Sequence, residues 1–337
     1  MKVRNKVKPD VWLVLGCHRS GTSLFSSILS ELGGVLPSNL LRPSLSNING
    51  FNESWYWVEA NDKILRKIGL EWDSIIPTPK SIESISFIDC QKMHVIEAIT
   101  KALNGKPTSE LPLIIKDPRI CRTFPIWEKA FLEMGLKFNI FMPVRHPFEV
   151  VQSLVARDNL EPTRACYIWI WNLVESLIFS KGKTPRFIIY DKILMDSKNY
   201  LSEIFGNELP KSVHKKINIK LNHNRTARSL YSRDAEPFRT AIELYEEILE
   251  AKIPTNELII FCEKIRFHSQ FSCESVERIN SKIIKGYKKN LLLHKKDFIC
   301  EDQNIFNGSI KSTPTHLSIK ERVLLILKNF YERYKNC

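Results

Sequence analysis

The chain has 337 residues, of which 43% are hydrophobic, enough to form the core of one α/β domain with insertions. Its 12 Gly and 17 Pro are scattered without a period, which excludes a repeat protein and a low-complexity chain. The formal net charge of +13 favours an anionic ligand. Nucleic acid, a nucleotide, an acidic glycan and a membrane surface all fit that charge, and so does a solvated basic face.

The eight cysteines include no CxxC pair and no Cys/His cluster at zinc spacing, so we expect reduced, mostly buried thiols. Residues 1–10 are basic and polar and lead directly into a strand. The longest apolar runs, such as Val323 to Leu327, are far too short to cross a bilayer. We therefore expect a cytoplasmic protein without a transmembrane segment, unless a targeting segment has been removed.

The first predicted elements are a strand, a tight loop and a helix. Val11 to Leu15 is a short apolar run that ends at Gly16. Thr22 to Leu32 has the apolar spacing of a helix, which Gly33 and Gly34 then end. This order is the one that phosphate-binding loops require.

Short apolar runs and helical patterns then alternate along the chain. The apolar runs are 113–115, 139–144 and 187–189, and the helical patterns include 149–157 and 163–179. The alternation predicts an α/β fold with a parallel sheet and helices on both faces.

The chain beyond about residue 205 has a helical and basic pattern. Its candidate helices are 237–251, 275–293 and 318–334. The last of these is amphipathic, and we expect it to pack on its own domain rather than on a membrane or a partner. We predict a single domain over 1–337, with an α/β core at 11–205 and a mainly helical extension at 206–337.

The loop between the first strand and helix, Gly16-Cys-His-Arg-Ser-Gly-Thr-Ser23, has the G-x-x-x-x-G spacing of a phosphate-binding loop. Its glycines permit a tight turn in which main-chain N–H groups and the positive end of the helix dipole converge on an anion. The Walker A pattern requires Lys where this chain has Thr22, and the nearby cation is instead Arg19. The loop therefore differs from that of an ordinary ATPase.

A second anion-binding pattern follows the apolar run at 139–144. Arg145 comes directly after this run, Pro147 suits the first turn of the next helix, and Ser153 lies eight positions after Arg145. Ser153 should face the end of the strand, which would bring a guanidinium and a hydroxyl to one anion. Each of the two patterns therefore indicates a place where an anionic group can bind.

These segments resemble the PAPS-dependent sulfotransferases of the bacterial type, where PAPS is 3′-phosphoadenosine 5′-phosphosulfate. Arg19-Ser-Gly-Thr-Ser23 is similar to their 5′-phosphosulfate loop, and Arg145 with Ser153 is similar to their 3′-phosphate segment. Leu113-Ile-Ile-Lys-Asp-Pro-Arg119 resembles the Lys-Asp-Pro segment of protein-tyrosine sulfotransferases. The resemblance covers about residues 11–205 and implies a P-loop-type parallel sheet flanked by helices.

A fourth segment departs from the pattern of that family. Tyr190-Asp-Lys-Ile-Leu194 is similar to the family's Tyr-Glu-Asp-Leu segment, but Asp191 replaces the Glu and Lys192 replaces the Asp. The residues leave open whether Tyr190 is structural or functional.

The resemblance implies a role for each matching residue. The PAPS-binding residues would be Arg19, Ser20, Gly21, Thr22, Ser23, Arg145 and Ser153. Lys116 would neutralise charge on the bridging oxygen as 3′,5′-ADP leaves, and Arg19 would stabilise the transferring group. No metal would be required.

A general base is also needed for a hydroxyl acceptor substrate. Asn49-Gly-Phe-Asn-Glu53 resembles the Gly-Phe/His-x-Glu segment of bacterial members, so we favour Glu53. Asp117, His18 and His146 remain alternatives. The aromatic residues that follow could stack on an acceptor substrate or pack in the core; they are Trp55, Tyr56, Trp57 and Trp72.

The predicted function is metal-independent, in-line sulfuryl transfer from PAPS to a hydroxyl or amine of a carbohydrate, lipid or small metabolite. One alternative is a P-loop kinase or NTPase that would need Mg²⁺ and would use Arg19 or Lys116 in place of the missing lysine. A basic nucleic-acid-binding protein is another, although the sequence contains no nucleic-acid-binding motif and no nucleic-acid partner is expected.

Overall fold

The computed structural model describes residues 9–43, 50–103, 112–206, 209–217, 225–251 and 253–271. The strands in these ranges are β1 (Val11–Val14), β2 (Leu113–Lys116), β3 (Phe138–Val144) and β4 (Arg186–Ile189). They form one sheet in the order β2-β1-β3-β4, and each neighbouring pair is parallel. The predicted α/β class with a parallel sheet is confirmed, and each predicted strand is found within one or two residues of its expected bounds.

The α-helices in the described ranges are α1 (Thr22–Glu31), α2 (Trp55–Lys67), α3 (Ile85–Ala102), α4 (Ile120–Glu133), α5 (Pro147–Asp158), α6 (Pro162–Phe179), α7 (Tyr190–Met195), α8 (Ser197–Phe205), α9 (Lys211–Lys216), α10 (Phe238–Ala251) and α11 (Asn256–Phe271). Two 3-10 helices, Lys80–Glu83 and Arg225–Ser229, accompany them. The predicted helices at 275–293 and 318–334 lie outside the described residues.

Helices cover both faces of the sheet because the central strand β1 is apolar on both faces. Leu13 belongs to a buried cluster that includes Trp57 of α2 and Trp127 of α4. Val14, the next residue, points to the opposite face and belongs to a cluster with Phe25 of α1. Because the side chains of β1 alternate between the two faces of the sheet, α2, α3 and α4 pack on one face and α1 packs on the other.

The order of the strands determines where a ligand can bind. The chain leaves β1 towards β2 on one side, and then returns to β3 on the other side of β1. In parallel sheets, ligands bind at such a reversal, outside the carboxyl ends of the strands. The loop after β1 and the loop after β3 both lie at this edge, and these are the two segments in which the sequence shows anion-binding patterns.

Two further properties of the described residues bear on the expectations from sequence. None of the helices combines the length and the apolar character that crossing a membrane requires. Five of the eight cysteines are described: Cys90 is exposed, and the four buried ones, Cys17, Cys121, Cys166 and Cys262, are free thiols.

Candidate functional site

The backbone of the loop after β1 forms a tight turn. Gly21 has a φ of 86° and Arg19 has a φ of 65°, both in the left-handed region. The Ser20 amide donates to the Cys17 carbonyl at 3.2 Å, which closes the turn. Helix α1 then begins at Thr22, and the preceding Gly21 provides no side-chain cap. The first amide groups of the helix therefore form an end at which an anion can bind.

Tyr190 packs directly against this loop. A Cβ atom at Gly21 would lie 2.4 Å from Cδ2 of Tyr190, so only glycine permits the approach of the ring. The guanidinium of Arg145 lies over the same ring, with its Cζ 4.6 Å from the ring centroid. Tyr190 therefore connects the loop after β1 to the second anion-binding segment. The sequence alone had left the role of Tyr190 open.

Replacing Gly21 with Ala is expected to affect both stability and nucleotide binding. An L-residue at this φ costs roughly 1–2 kcal/mol, and the added methyl group would also overlap the Tyr190 ring. We expect a lower melting temperature and an affinity for 3′,5′-ADP that is at least about tenfold weaker, because the loop and Tyr190 must move apart. Thermal unfolding and calorimetry would measure the two effects.

Gly206 offers a matched control for this substitution. Its φ is 76° and a Cβ atom there would contact nothing within 4 Å, so Gly206→Ala adds the backbone strain alone. Equal effects of the two variants on 3′,5′-ADP affinity would contradict the role given to the contact between Gly21 and Tyr190.

The two segments with anion-binding patterns meet at Arg19. The Nε of Arg19 donates to the Oγ of Ser153 at 2.7 Å. The Nη1 of Arg145 donates to the main-chain carbonyl of Arg19 at 3.3 Å. Arg145 and Ser153 are both buried. The fold thus brings together three of the residues that the sequence singled out, although 126 residues separate Arg19 from Arg145.

Lys116 and Glu53 form a buried ion pair beside the start of α1. Lys116 is the last residue of β2, and its Nζ donates to an oxygen of the Glu53 carboxylate. The same Nζ donates to the Oγ of Ser23 at 3.2 Å and to the carbonyl of Phe51 at 3.0 Å. The side chains are only 2% and 6% exposed. Ser23, Lys116 and Glu53, which the sequence assigned to one site, are therefore in direct contact.

Asn52 holds the segment that carries Glu53. Its φ is 56°, a left-handed conformation that Asn tolerates. Its Nδ2 donates to the Ser23 carbonyl at 3.0 Å and to the Ser27 Oγ at 2.9 Å, both on α1. On the other side, the Leu41 amide donates to the Glu53 carbonyl at 2.8 Å. No sequence pattern indicated these anchors, because an Asn in a loop commonly bonds only to its own turn.

Burial raises the pKa of Glu53 above the ordinary value of a glutamate. The adjacent Lys116 ammonium acts in the opposite direction, and the Asp117 carboxylate adds to the increase. A glutamate with a raised pKa is better suited to accept a proton near neutral pH than an exposed one.

The edge of the sheet concentrates positive charge. Burial lowers the pKa of His18 well below the ordinary histidine value, and Arg157, Arg119, Lys116 and Arg19 lower it further. The pKa of Arg19 is itself lowered, first by burial and then by Arg157. Neighbouring cations thus disfavour the charged forms of His18 and Arg19, and an anion bound beside them would relieve this repulsion.

The other candidate bases have different surroundings. Asp117 accepts hydrogen bonds from Asn61 Nδ2 at 3.0 Å and from the amide and Nη1 of Arg119 at 3.0 and 3.1 Å. His146 accepts from the Phe148 amide at 3.3 Å as the cap of α5, and burial lowers its pKa to about 4. These contacts give both residues a structural function.

His18 lies beside the loop and differs from both. Its buried Nε2 has no hydrogen-bond partner among the described residues, and its ring packs edge-on against Trp72 with 4.9 Å between centroids. His18 therefore stays a candidate for contact with a substrate.

The predicted aromatic group divides into core and surface members. Trp57 is completely buried and packs edge-on against Trp127, so it belongs to the core. Trp55 is 53% exposed, two positions after Glu53. Trp72 contacts His18 and lies under the guanidinium of Arg157 at 5.5 Å. Tyr56 and Trp72 are partly buried against core clusters, so of the four aromatic residues only Trp55 is exposed.

Comparison with known proteins gives few matches. No protein-family model matches the sequence, and no curated protein matches it. The sulfotransferase domain of the olefin synthase of Synechococcus PCC 7002 is similar in structure, with a TM-score of 0.44 and 15% identity over 74% of this chain and 98% of that domain. The sulfotransferase domain from the curacin biosynthetic pathway gives a TM-score of 0.38 and 14% identity over 62% of this chain and 78% of that domain.

Both of these structures are sulfotransferase domains. The likeness concerns the path of the chain, so a function for this protein must come from the residues of its own site.

Proposed function

We propose that this protein is a sulfotransferase that binds PAPS and transfers its sulfuryl group to an acceptor hydroxyl or amine. The observation that carries the proposal is the convergence of two anion-binding segments on Arg19. Its side chain bonds to Ser153 and its carbonyl bonds to Arg145. A nucleotide with a phosphosulfate at one end and a 3′-phosphate at the other would use both segments, whereas ATP would use only one.

The phosphosulfate end would bind at the turn before α1. The residues there are Arg19, Ser20, Gly21, Thr22 and Ser23. The Oγ of Ser20 is buried and has no hydrogen-bond partner among the described residues, which fits a group that contacts a ligand. Arg145 and Ser153 would bind the 3′-phosphate through charge-assisted hydrogen bonds.

The chemistry would take place at the pair of Lys116 and Glu53. Glu53 would accept the proton of the acceptor hydroxyl as the new bond from oxygen to sulfur forms. The bond from sulfur to the bridging oxygen would break at the same time, and Lys116 and Arg19 would stabilise the charge on the leaving 3′,5′-ADP. Positioning and cationic stabilisation account for this transfer without a metal ion. Among the described residues, no cluster of three or more His, Cys, Asp or Glu could hold one.

A carbohydrate, a lipid or a small hydroxylated metabolite is the proposed acceptor substrate. Trp55 supports this choice, since it is exposed, lies two positions after Glu53 in the sequence and can stack on a sugar ring or an apolar ring. We place the reaction in the cytoplasm, because free thiols such as those of Cys17, Cys121, Cys166 and Cys262 are typical of a reducing compartment.

Calorimetry with three nucleotides would test the proposal. We expect 3′,5′-ADP to bind at least about 30-fold more tightly than 5′-AMP, because only the former contacts Arg145 and Ser153. EDTA should leave its affinity unchanged. Binding of ATP that requires Mg²⁺ and exceeds that of 3′,5′-ADP would contradict the proposal and favour a P-loop kinase or NTPase.

A further inference from the structure

Glu149 is a completely buried carboxylate that holds two arginines. It lies on α5, one turn after Arg145, and is 0% exposed. Its Oε2 accepts from the Nε of Arg145 at 2.9 Å, and its Oε1 accepts from the Nε of Arg228 at 2.8 Å. A buried carboxylate is costly unless it is paired in this way. Each of its oxygens thus has a cationic partner.

Three contacts, including the one with Glu149, fix the orientation of the Arg145 guanidinium. The Nε of Arg145 bonds to Glu149, its Nη1 bonds to the Arg19 carbonyl at 3.3 Å, and its Cζ lies over the ring of Tyr190, 4.6 Å from the centroid. A guanidinium recognises a phosphate through a planar fork of donors, so its orientation determines which donors reach the anion.

Arg228 connects the same carboxylate to a distant part of the chain. It belongs to the 3-10 helix Arg225–Ser229, 79 residues beyond Glu149. Its Nη2 also bonds to the carboxylate of Asp191, which directly follows Tyr190. Arg228 thereby holds Glu149 through the carboxylate oxygen that does not accept from Arg145 Nε.

We propose that Glu149 is a positioning residue that orients Arg145 for the 3′-phosphate of the nucleotide. This inference rests on the proposed function, because it assumes that Arg145 contacts that phosphate. Arg228 keeps the carboxylate in place and makes the position of Glu149 depend on the docking of the 3-10 helix.

The charge of Glu149 and its contact with Arg145 predict opposite effects on phosphate binding when Glu149 is replaced. A carboxylate close to a phosphate site repels the phosphate, so its neutralisation should strengthen binding if charge alone matters. The loss of orientation should instead weaken binding, because Arg145 would then spend part of its time in other conformations. The sign of the effect therefore distinguishes the two roles.

The experiment measures 3′,5′-ADP and 5′-AMP affinities of Glu149→Gln and Glu149→Asp by calorimetry. We expect both variants to bind 3′,5′-ADP about tenfold more weakly and 5′-AMP within about twofold of the parent. Glu149→Asp keeps the charge but is too short to reach both arginines. Glu59→Gln is the matched control, since Glu59 also pairs with a cation one helical turn away, Lys63, but is exposed.

A second pair of variants covers the case in which Glu149→Gln does not fold. Arg228→Met and the double variant Glu149→Gln/Arg228→Met differ only at Glu149, and the double variant removes one charge of each sign. We expect the double variant to bind 3′,5′-ADP about tenfold more weakly than Arg228→Met, with 5′-AMP unchanged.

Unchanged or tighter binding of 3′,5′-ADP by the Glu149 variants would overturn this inference, as would an equal loss for both nucleotides. If the parent protein itself does not distinguish 3′,5′-ADP from 5′-AMP, the proposed function fails and the inference fails with it. Discrimination by the parent with no effect of Glu149 would reject the positioning role alone.

Discussion

Replacing Arg145 with Ala is expected to weaken the binding of 3′,5′-ADP by about 30- to 1,000-fold, which corresponds to about 2 to 4 kcal/mol. The substitution removes a buried guanidinium whose orientation is fixed by Glu149, Tyr190 and the Arg19 carbonyl. The affinity for 5′-AMP should change by less than about threefold, because that nucleotide lacks the phosphate that Arg145 would bind. Calorimetry with both nucleotides measures the difference.

Arg239→Ala is a suitable control for this experiment. Arg239 is an exposed arginine of α10 that pairs with Glu236, so its loss changes the net charge by the same amount as Arg145→Ala. It should leave both affinities unchanged at physiological salt. If Arg145→Ala weakens both nucleotides equally, Arg145 contributes to the scaffold or to the general potential, and the link to PAPS is lost.

Replacing Glu53 with Gln is expected to lower turnover by about 100-fold or more, the usual contribution of a general base. Glutamine keeps the shape of the side chain but cannot accept the proton of the acceptor substrate. Lys116 would lose its carboxylate partner, so the affinity for 3′,5′-ADP should stay the same or increase. A loss of turnover without a loss of nucleotide affinity would separate the role of a base from that of a binding residue.

The dependence of turnover on pH adds a second measurement to this prediction. Glu53 must be ionised to act as a base, and burial raises its pKa although Lys116 opposes the increase. Turnover should therefore be high above this raised pKa and should fall as the pH decreases through it. Glu53→Gln should remove that acidic limb.

The assay would follow the release of 3′,5′-ADP from PAPS with sugar, lipid and phenol acceptors. Glu59→Gln, an exposed change on α2, serves as the control. Near-normal turnover of Glu53→Gln would show that another residue is the base, and His18 would be the first candidate to test.

The sequence by itself determined the elements that local patterns encode. The strands were predictable because a strand buried on both faces is a short, continuous apolar run. The loop at Gly16–Ser23 was predictable because a tight turn before a helix needs glycine at fixed spacing. The contact of Arg19 with Ser153 was not predicted, because the sequence assigned Arg19 to the 5′-phosphosulfate and Ser153 to the 3′-phosphate.

Several helices were not predicted from sequence. They include α2, α3 and α4. Helix α4 has Pro125 in its interior, and proline normally indicates that a helix has ended. Its buried residues pack against α3 and the sheet, and tertiary packing outweighs the local preference.

Only the tertiary structure decided how the site residues are supported. Glu149 holds both Arg145 and Arg228, Tyr190 packs against Gly21, and Trp57 lies in the core rather than at the surface. The spacing of Arg145 and Glu149 is a local signal for an i,i+4 ion pair on a helix. Arg228 gives no such signal, because its contact with Glu149 joins residues far apart in the chain. Such contacts depend on how the elements pack in three dimensions, and no periodicity of the sequence records that packing.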